Sequence, residues 1–115
     1  MTSDIKEALD NLVEVIKQSQ EYQEYVNAKA VLALDDNLAK KVDEYRRKNS
    51  DLQDNKDTLF DASFILQKQY EDIINASAAR TFLTAENNIC RIFQQINYKL
   101  LEDLNFELST EEDDR

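Results

Sequence analysis

The side chains in this sequence that could do chemistry are few, and each stands apart from the others. Glu86 lies in an otherwise apolar helical stripe, where burial could make its carboxyl a catalytic acid. Its structural role would be an ion pair with a base such as Arg80 or Lys68, or a point where the stripe meets water. Five bases, Lys40, Lys41, Arg46, Arg47 and Lys48, fall within nine residues. They could dock an acidic partner or an RNA backbone, but the interleaved Asp43 and Glu44 equally suit a salt-bridged, solvated face. Tyr22 and Tyr25, one turn apart, could line a ligand or peptide groove, or pack between helices. Cys90 reads as a small hydrophobe on the last helix or as a reactive thiol.

What is missing excludes whole classes of function. The chain has no His, so the commonest general base and metal ligand is absent, and with it the Glu-x-x-His pairs of di-metal bundles. One Cys makes neither an internal disulfide nor a thiolate metal cage. No Ser or Cys has a base at a recognisable spacing, and Glu86 has no second carboxylate of that kind. The expectation is a protein with no catalytic, cofactor-binding or metal residues. There is also no Gly and no Pro in 115 residues, where average usage gives roughly eight and six. Without Gly, tight hairpins, phosphate-cradling loops and dinucleotide fingerprints are not available. The fold class is therefore all-α, with short connections made of Asn, Asp and Ser.

Net charge is −10, which argues against general nucleic-acid binding. Six of those negative charges lie between Leu101 and Arg115, leaving about −4 on the body. The division expected is one helical domain over 1–109 and an acidic, disordered tail over 110–115. No apolar run approaches the roughly 18 residues of a membrane span, and no signal-peptide pattern is present, so a soluble cytoplasmic protein is expected.

These residues are positioned by helices whose spacing is legible. The first should run from about Asp4 to Gln18, with Ile5, Ala8, Leu9, Leu12, Val13 and Ile16 forming one apolar stripe. Asp4 or Ser3 would cap it, and Ser19 would cap a second helix over about Gln20–Leu34. Asp35, Asp36 and Asn37 then form a turn. From Leu38 onward a heptad begins: Leu38, Tyr45, Leu52, Leu59, Leu66 and Ile73 are apolar at every closing position. Val42 and Tyr70 fill the second heptad position at its two ends, with Asn49, Lys56 and Ser63 between them. Those polar residues could fix register in a buried seam or be solvated, and 49–57 could be frayed or kinked. The pattern predicts one very long helix over about 36–74, roughly 58 Å in length. Phe60, Phe64 and Ile65 add a second apolar face, implying neighbours on two sides, its own chain and a second subunit. After a break at Asn75–Ser77, a last helix over about 78–105 carries Phe82, Ile89, Phe93, Ile96 and Leu100. The expectation is a bundle of about four helices, the long one antiparallel to the last.

The order of these residues has a resemblance. Ser19-x-x-Tyr22-x-x-Tyr25-x-x-Ala28 is followed by Asp35-x-x-Leu38, Tyr45 and Leu52-Gln53. Gln67, Tyr70 and Ile73 precede Asn75, and Phe82-Leu83-x-Ala85-Glu86-x-x-Ile89 and Ile96 follow. This order resembles the YlbF/YmcA/YheA family of small helical bacterial proteins, from Ile5 to about Leu104. The resemblance implies a regulator without catalytic activity, a few helices assembling through helix pairing. It implies a role in competence, sporulation or biofilm control, in a complex acting with ribonuclease Y in messenger-RNA maturation. Some members hold an iron–sulfur cluster through cysteines near the C-terminus; here that region has none, so no cofactor is carried over. Asn75-Ala76 stands where the family often has Asn-Pro, and the chain looks more like the compact YheA type.

Two functions follow as expectations. The first is a cytoplasmic adaptor that self-associates as a homodimer or higher homo-oligomer, with related family proteins or a ribonuclease as further partners. Its interface candidates are Leu38, Val42, Tyr45, Leu52, Leu59, Phe60, Phe64, Leu66, Tyr70 and Ile73. The alternative is an RNA-associated factor using the Lys40–Lys48 face.

Overall fold

A computed structural model of the chain describes residues 2–52 and 59–106, without the side chains of Leu59 and Phe60. Lys56, most of the 49–57 segment and the acidic tail over 110–115 lie outside these residues. Six helices are seen: α1 (Ser3–Lys17), α2 (Gln20–Ala33), α3 (Asp36–Leu52), α4 (Leu59–Gln69), α5 (Glu71–Asn75) and α6 (Ser77–Asp103). Among the described residues there is no strand, in keeping with the absence of Gly and Pro.

Local chemistry sets the boundaries. Thr2, rather than Ser3 or Asp4, caps α1, its hydroxyl accepting from the Ile5 amide at 3.4 Å. Ser19 fixes the corner before α2 with two bonds. Its hydroxyl accepts from the Tyr22 amide at 3.2 Å and donates to the Ile16 carbonyl at 2.6 Å. The Gln23 side chain adds a bond to the Lys17 carbonyl at 2.8 Å. Asp35 caps α3 through the Leu38 amide at 3.1 Å. Neither Asn75 nor Ser77 caps α6; the cap position is held by Ala76, with no side-chain bond. The C-terminus of α6 shows what a chain without glycine does at a left-handed stop. Asn105 takes φ of 55°, the Phe106 amide bonds the Leu101 carbonyl at 2.9 Å, and the Asn105 amide bonds the Glu102 carbonyl at 3.1 Å. That is a Schellman closure, with Asn in the place usually given to Gly.

The single long helix over 36–74 is corrected by the structure. α3 and α4 lie side by side, and a further break falls at Tyr70, where φ is −109° and ψ is 21°. The Tyr45 and Tyr70 rings meet at 5.6 Å between centroids, whereas an unbroken helix would hold those residues roughly 38 Å apart. The physical reason is that a heptad says which face is apolar, not which chain covers it. Here the first and last parts of the stripe cover each other. The last helix is also paired differently: α6 lies along α2, and no contact between α4 and α6 occurs among the described residues. The start of α2 (Gln20, Glu24) faces Asn88–Gln95, and its end (Val31) faces Ser77–Thr81, so the two run antiparallel.

The core sits where α2, α3 and α6 meet. Ala28 and Leu32 from α2, Val42 from α3, and Ala79, Phe82 and Ala85 from α6 form one buried cluster. Three alanines at the crossing let the helices approach closely, and Phe82 supplies the bulk. The molecule is a plate of 45 × 42 × 19 Å, about two helix diameters thick. Its radius of gyration of 17.8 Å exceeds the approximately 13 Å of a compact domain of this length.

Candidate functional site

Of the chemistry-bearing residues, Glu86 is the one the fold puts to work. Its partner is neither Arg80 nor Lys68 but Arg46, forty residues away on α3. Arg46 Nε donates to Glu86 Oε1 at 3.1 Å, and a second guanidinium nitrogen bonds Oε2, so the pair is bidentate. Arg46 also reaches Asp43 Oδ1 at 3.4 Å, and its guanidinium lies 5.6 Å from the centre of the Phe82 ring. Both charged side chains are partly covered, Arg46 at 38% and Glu86 at 24% relative exposure. A carboxylate held in a fork by a guanidinium is an acceptor with its lone pairs engaged, which suits positioning rather than proton transfer. Arg80 instead donates to Asn75 Oδ1 at 2.9 Å, and Lys68 pairs with Glu71 at 3.8 Å.

The five bases do not share a face. Arg46 turns inward to Glu86, Lys40 pairs with Asp36 at 3.3 Å, and Arg47 pairs with Asp43 at 3.6 Å. Lys41 is exposed, and Lys48 lies 5.3 Å from the centre of the Tyr70 ring. Their neighbour Glu44 accepts a hydrogen bond from the Tyr70 hydroxyl at 2.9 Å. That bond, helped by Lys41, Lys48 and Arg47 and opposed by desolvation, holds the Glu44 carboxyl below its ordinary range. A depressed carboxylate stabilises the fold above its unfolded pKa, and the benefit fades as pH falls through the folded value. Tyr70→Phe should therefore move the Glu44 titration upward and lower stability at neutral pH. The two proteins should converge in acid, which carboxyl NMR titration and urea unfolding at both pH values would check.

The interface candidates are placed as follows. Val42, Leu66 and Tyr70 are buried within the chain, and Leu38, Tyr45, Leu52 and Ile73 are half-buried. Phe64 is exposed at 61%, next to exposed Ile65, and the side chains of Leu59 and Phe60 lie outside the described set. Burial raises the Tyr45 hydroxyl above its ordinary value. Tyr22 and Tyr25 pack rather than gape: their rings stand 6.3 Å apart, and Tyr25 meets Phe82 at 5.7 Å. Cys90 is on the last helix as expected, but exposed and free rather than packed as a small hydrophobe.

An open groove of about 730 Å³ runs between α2 and α6, past Asn27, Val31, Thr81, Thr84 and Asn88. Its charged members are Glu24 and Arg80, and no nucleophile in it has a base beside it. Among the described residues no group of three His, Cys, Asp or Glu converges as a metal site. No helix among them is long and apolar enough to cross a membrane.

What sequence reasoning missed is the Arg46–Glu86 pair and the bareness of the two ends of the fold. The first has no local signal, because its members are forty residues apart. The second has a signal in α1 and in the end of α6, whose apolar stripes are as strong as those of the core helices. Ile5, Leu9 and Val13 on α1 are 58%, 43% and 40% exposed. Phe93, Leu100 and Leu104 on and just beyond α6 are 53%, 53% and 71% exposed.

The molecule is thus an all-helical protein whose inward polar groups pin helices together and whose apolar surplus faces outward. Residues 5–105 match the family model described as control of competence regulator ComK, YlbF/YmcA. The chain belongs to that YlbF/YmcA family, a family of regulatory proteins. Comparison with curated proteins and with solved structures gives no match.

Proposed function

We propose that this chain is a non-catalytic cytoplasmic adaptor that regulates through helix-mediated protein–protein contact, self-association included. The observation that carries the reading is membership of a competence-control family over nearly the whole chain. The bare apolar stripes on α1 and at the end of α6 support it, since faces of that kind mark association surfaces. Family relatives and ribonuclease Y are the further partners proposed, with control of competence, sporulation, biofilm formation or messenger-RNA processing as the setting. An RNA-associated role for Lys40–Lys48 is weaker, because three of the five bases are engaged by carboxylates of the same chain.

The test is affinity capture of the tagged protein from its own cells, with and without added ribonuclease, read by mass spectrometry. Recovery of related chains or of ribonuclease Y, unchanged by RNA digestion, is the expected result. Loss of every partner on digestion would replace the adaptor reading with the RNA one.

A further inference from the structure

Among the described residues, two amphipathic helical segments leave most of their apolar stripes uncovered. α1 has no buried residue and, among the described residues, packs against α2 alone. Its stripe runs from Ile5 through Leu9 and Val13 on the exposed side, with Leu12 and Ile16 half-buried. The second segment is the C-terminal part of α6. The start of α2 reaches only as far as Ile92 and Gln95, so the rest of α6 overhangs by roughly 12 Å. The apolar face that packs Phe82, Ala85 and Ile89 into the core continues without a break into Phe93, Ile96, Leu100 and Leu104. The core stripe therefore runs on past the end of the helix that covers it.

The two bare stripes cannot meet within one chain as folded. The connection between α1 and α2 is two residues long, and Ser19 and Gln23 lock it by their bonds to the Ile16 and Lys17 carbonyls. α1 leaves that corner without touching α6. α1 is about 22 Å long, enough to lie along the whole of the roughly 12 Å overhang. We propose that they cover each other between two copies of this chain: α1 of one copy lies along the overhanging end of α6 of the other, and the reverse, about a twofold axis. A twofold pair makes the same contact twice and leaves neither stripe bare. A foreign helix would cover one stripe and leave the other in water.

The area is adequate. A half-exposed aliphatic or aromatic side chain offers roughly 100 Å², so Ile5, Leu9, Val13, Phe93, Leu100 and Leu104 present on the order of 600 Å² per copy, to which the half-buried Leu12, Ile16 and Ile96 add. That approaches the share of each partner in a standard-size interface, about 800 Å². The proposal rests on the adaptor reading and deepens it by naming the partner and the contact.

The test is light scattering on the size-exclusion eluate of the purified full chain and of two face variants. Wild type is expected at twice the 13.4 kDa of one chain. Leu9→Glu with Val13→Glu removes the α1 stripe, and Leu100→Glu with Leu104→Glu removes the α6 stripe. Each variant should weaken the dimer at least tenfold with helical circular dichroism unchanged, because the altered side chains are exposed. Leu9→Ala with Val13→Ala, which keeps helix propensity, should weaken it less but measurably, and covers the case in which the acidic variant does not fold.

The decisive sample is an equal mixture of the two acidic variants. In a reciprocal pair, the intact α1 of one variant meets the intact α6 of the other, so a dimer should reappear with one of its two contacts. A mixture that stays monomeric, variants that dimerise like wild type, or a monomeric wild type would each overturn the inference. A monomer that still captures ribonuclease Y or a relative from cells would overturn it while leaving the adaptor reading in place.

Discussion

Phe82→Ala is expected to lower the unfolding free energy by about 4 kcal/mol, the middle of the range for deleting a buried aromatic ring. The expectation comes from how much converges on that side chain. Phe82 is 5% exposed, its ring meets Tyr25 at 5.7 Å, and the Arg46 guanidinium lies 5.6 Å from its centre. It is the one large side chain in a cluster otherwise built from Ala28, Leu32, Val42, Ala79 and Ala85. Alanines cannot close the void, because their helices are already at close approach. The truncation therefore leaves a cavity and strips the floor from beneath the charged pair. Stabilities of single domains are about 5–15 kcal/mol, so the variant should be close to unfolding in water. The urea midpoint should fall by roughly 2–3 M at unchanged slope. Phe82→Leu, which keeps most of the volume, should lose no more than about 1.5 kcal/mol. A loss below about 1 kcal/mol for the alanine variant would place the centre of the core elsewhere.

The sequence spoke clearly wherever structure is local. The absence of Gly and Pro predicted an all-helical chain, and the six helices agree. Ser19 was readable as a cap because an N-cap is a relation over three residues, and its hydroxyl is found on the Tyr22 amide. The family order from Ser19 to Ile96 was readable for a similar reason: spacing along a chain survives in the sequence itself. The long helix was not readable in the same way. Leu38, Tyr45, Leu66 and Tyr70 are buried or half-buried as the stripe requires, but periodicity carries no information about a fold-back. Tyr45 finds its cover in Tyr70 of the same chain. The partner of Glu86 was out of reach too, since Arg80 and Lys68 are nearer in sequence and Arg46 is nearer only in space.

The fold also shows why α6 pairs with α2 and not with the later part of the heptad. α2 and α6 carry alanines where they cross, Ala28 against Ala79 and Ala85, and small residues permit a closeness that Leu66 or Phe64 would not. α4 then keeps Leu66 for α3 and leaves Phe64 and Ile65 to solvent. The buried centre of the fold thus forms where most side chains are small, not along the heptad segment rich in large apolar groups.

Glu86→Ala is expected to cost about 2 kcal/mol, although the carboxylate is far from any catalytic arrangement. The loss is larger than for a surface ion pair because the bond is bidentate and both groups are partly covered. It is smaller than for a fully buried pair because the exposure of both side chains lets water reach the freed guanidinium. Arg46→Ala should cost a similar amount, and part of that loss is the contact between the guanidinium and Phe82. The discriminating protein is the double variant. If the two side chains act mainly on each other, Arg46→Ala with Glu86→Ala should lose clearly less than the two single losses added, with a coupling of about 1 kcal/mol in urea unfolding. Additive losses would mean that Asp43 and Phe82 hold Arg46 in place and that Glu86 serves α6 alone. The pair is the one charged link between α3 and α6 among the described residues, so its coupling measures how firmly α3 is fastened to the α2–α6 pair.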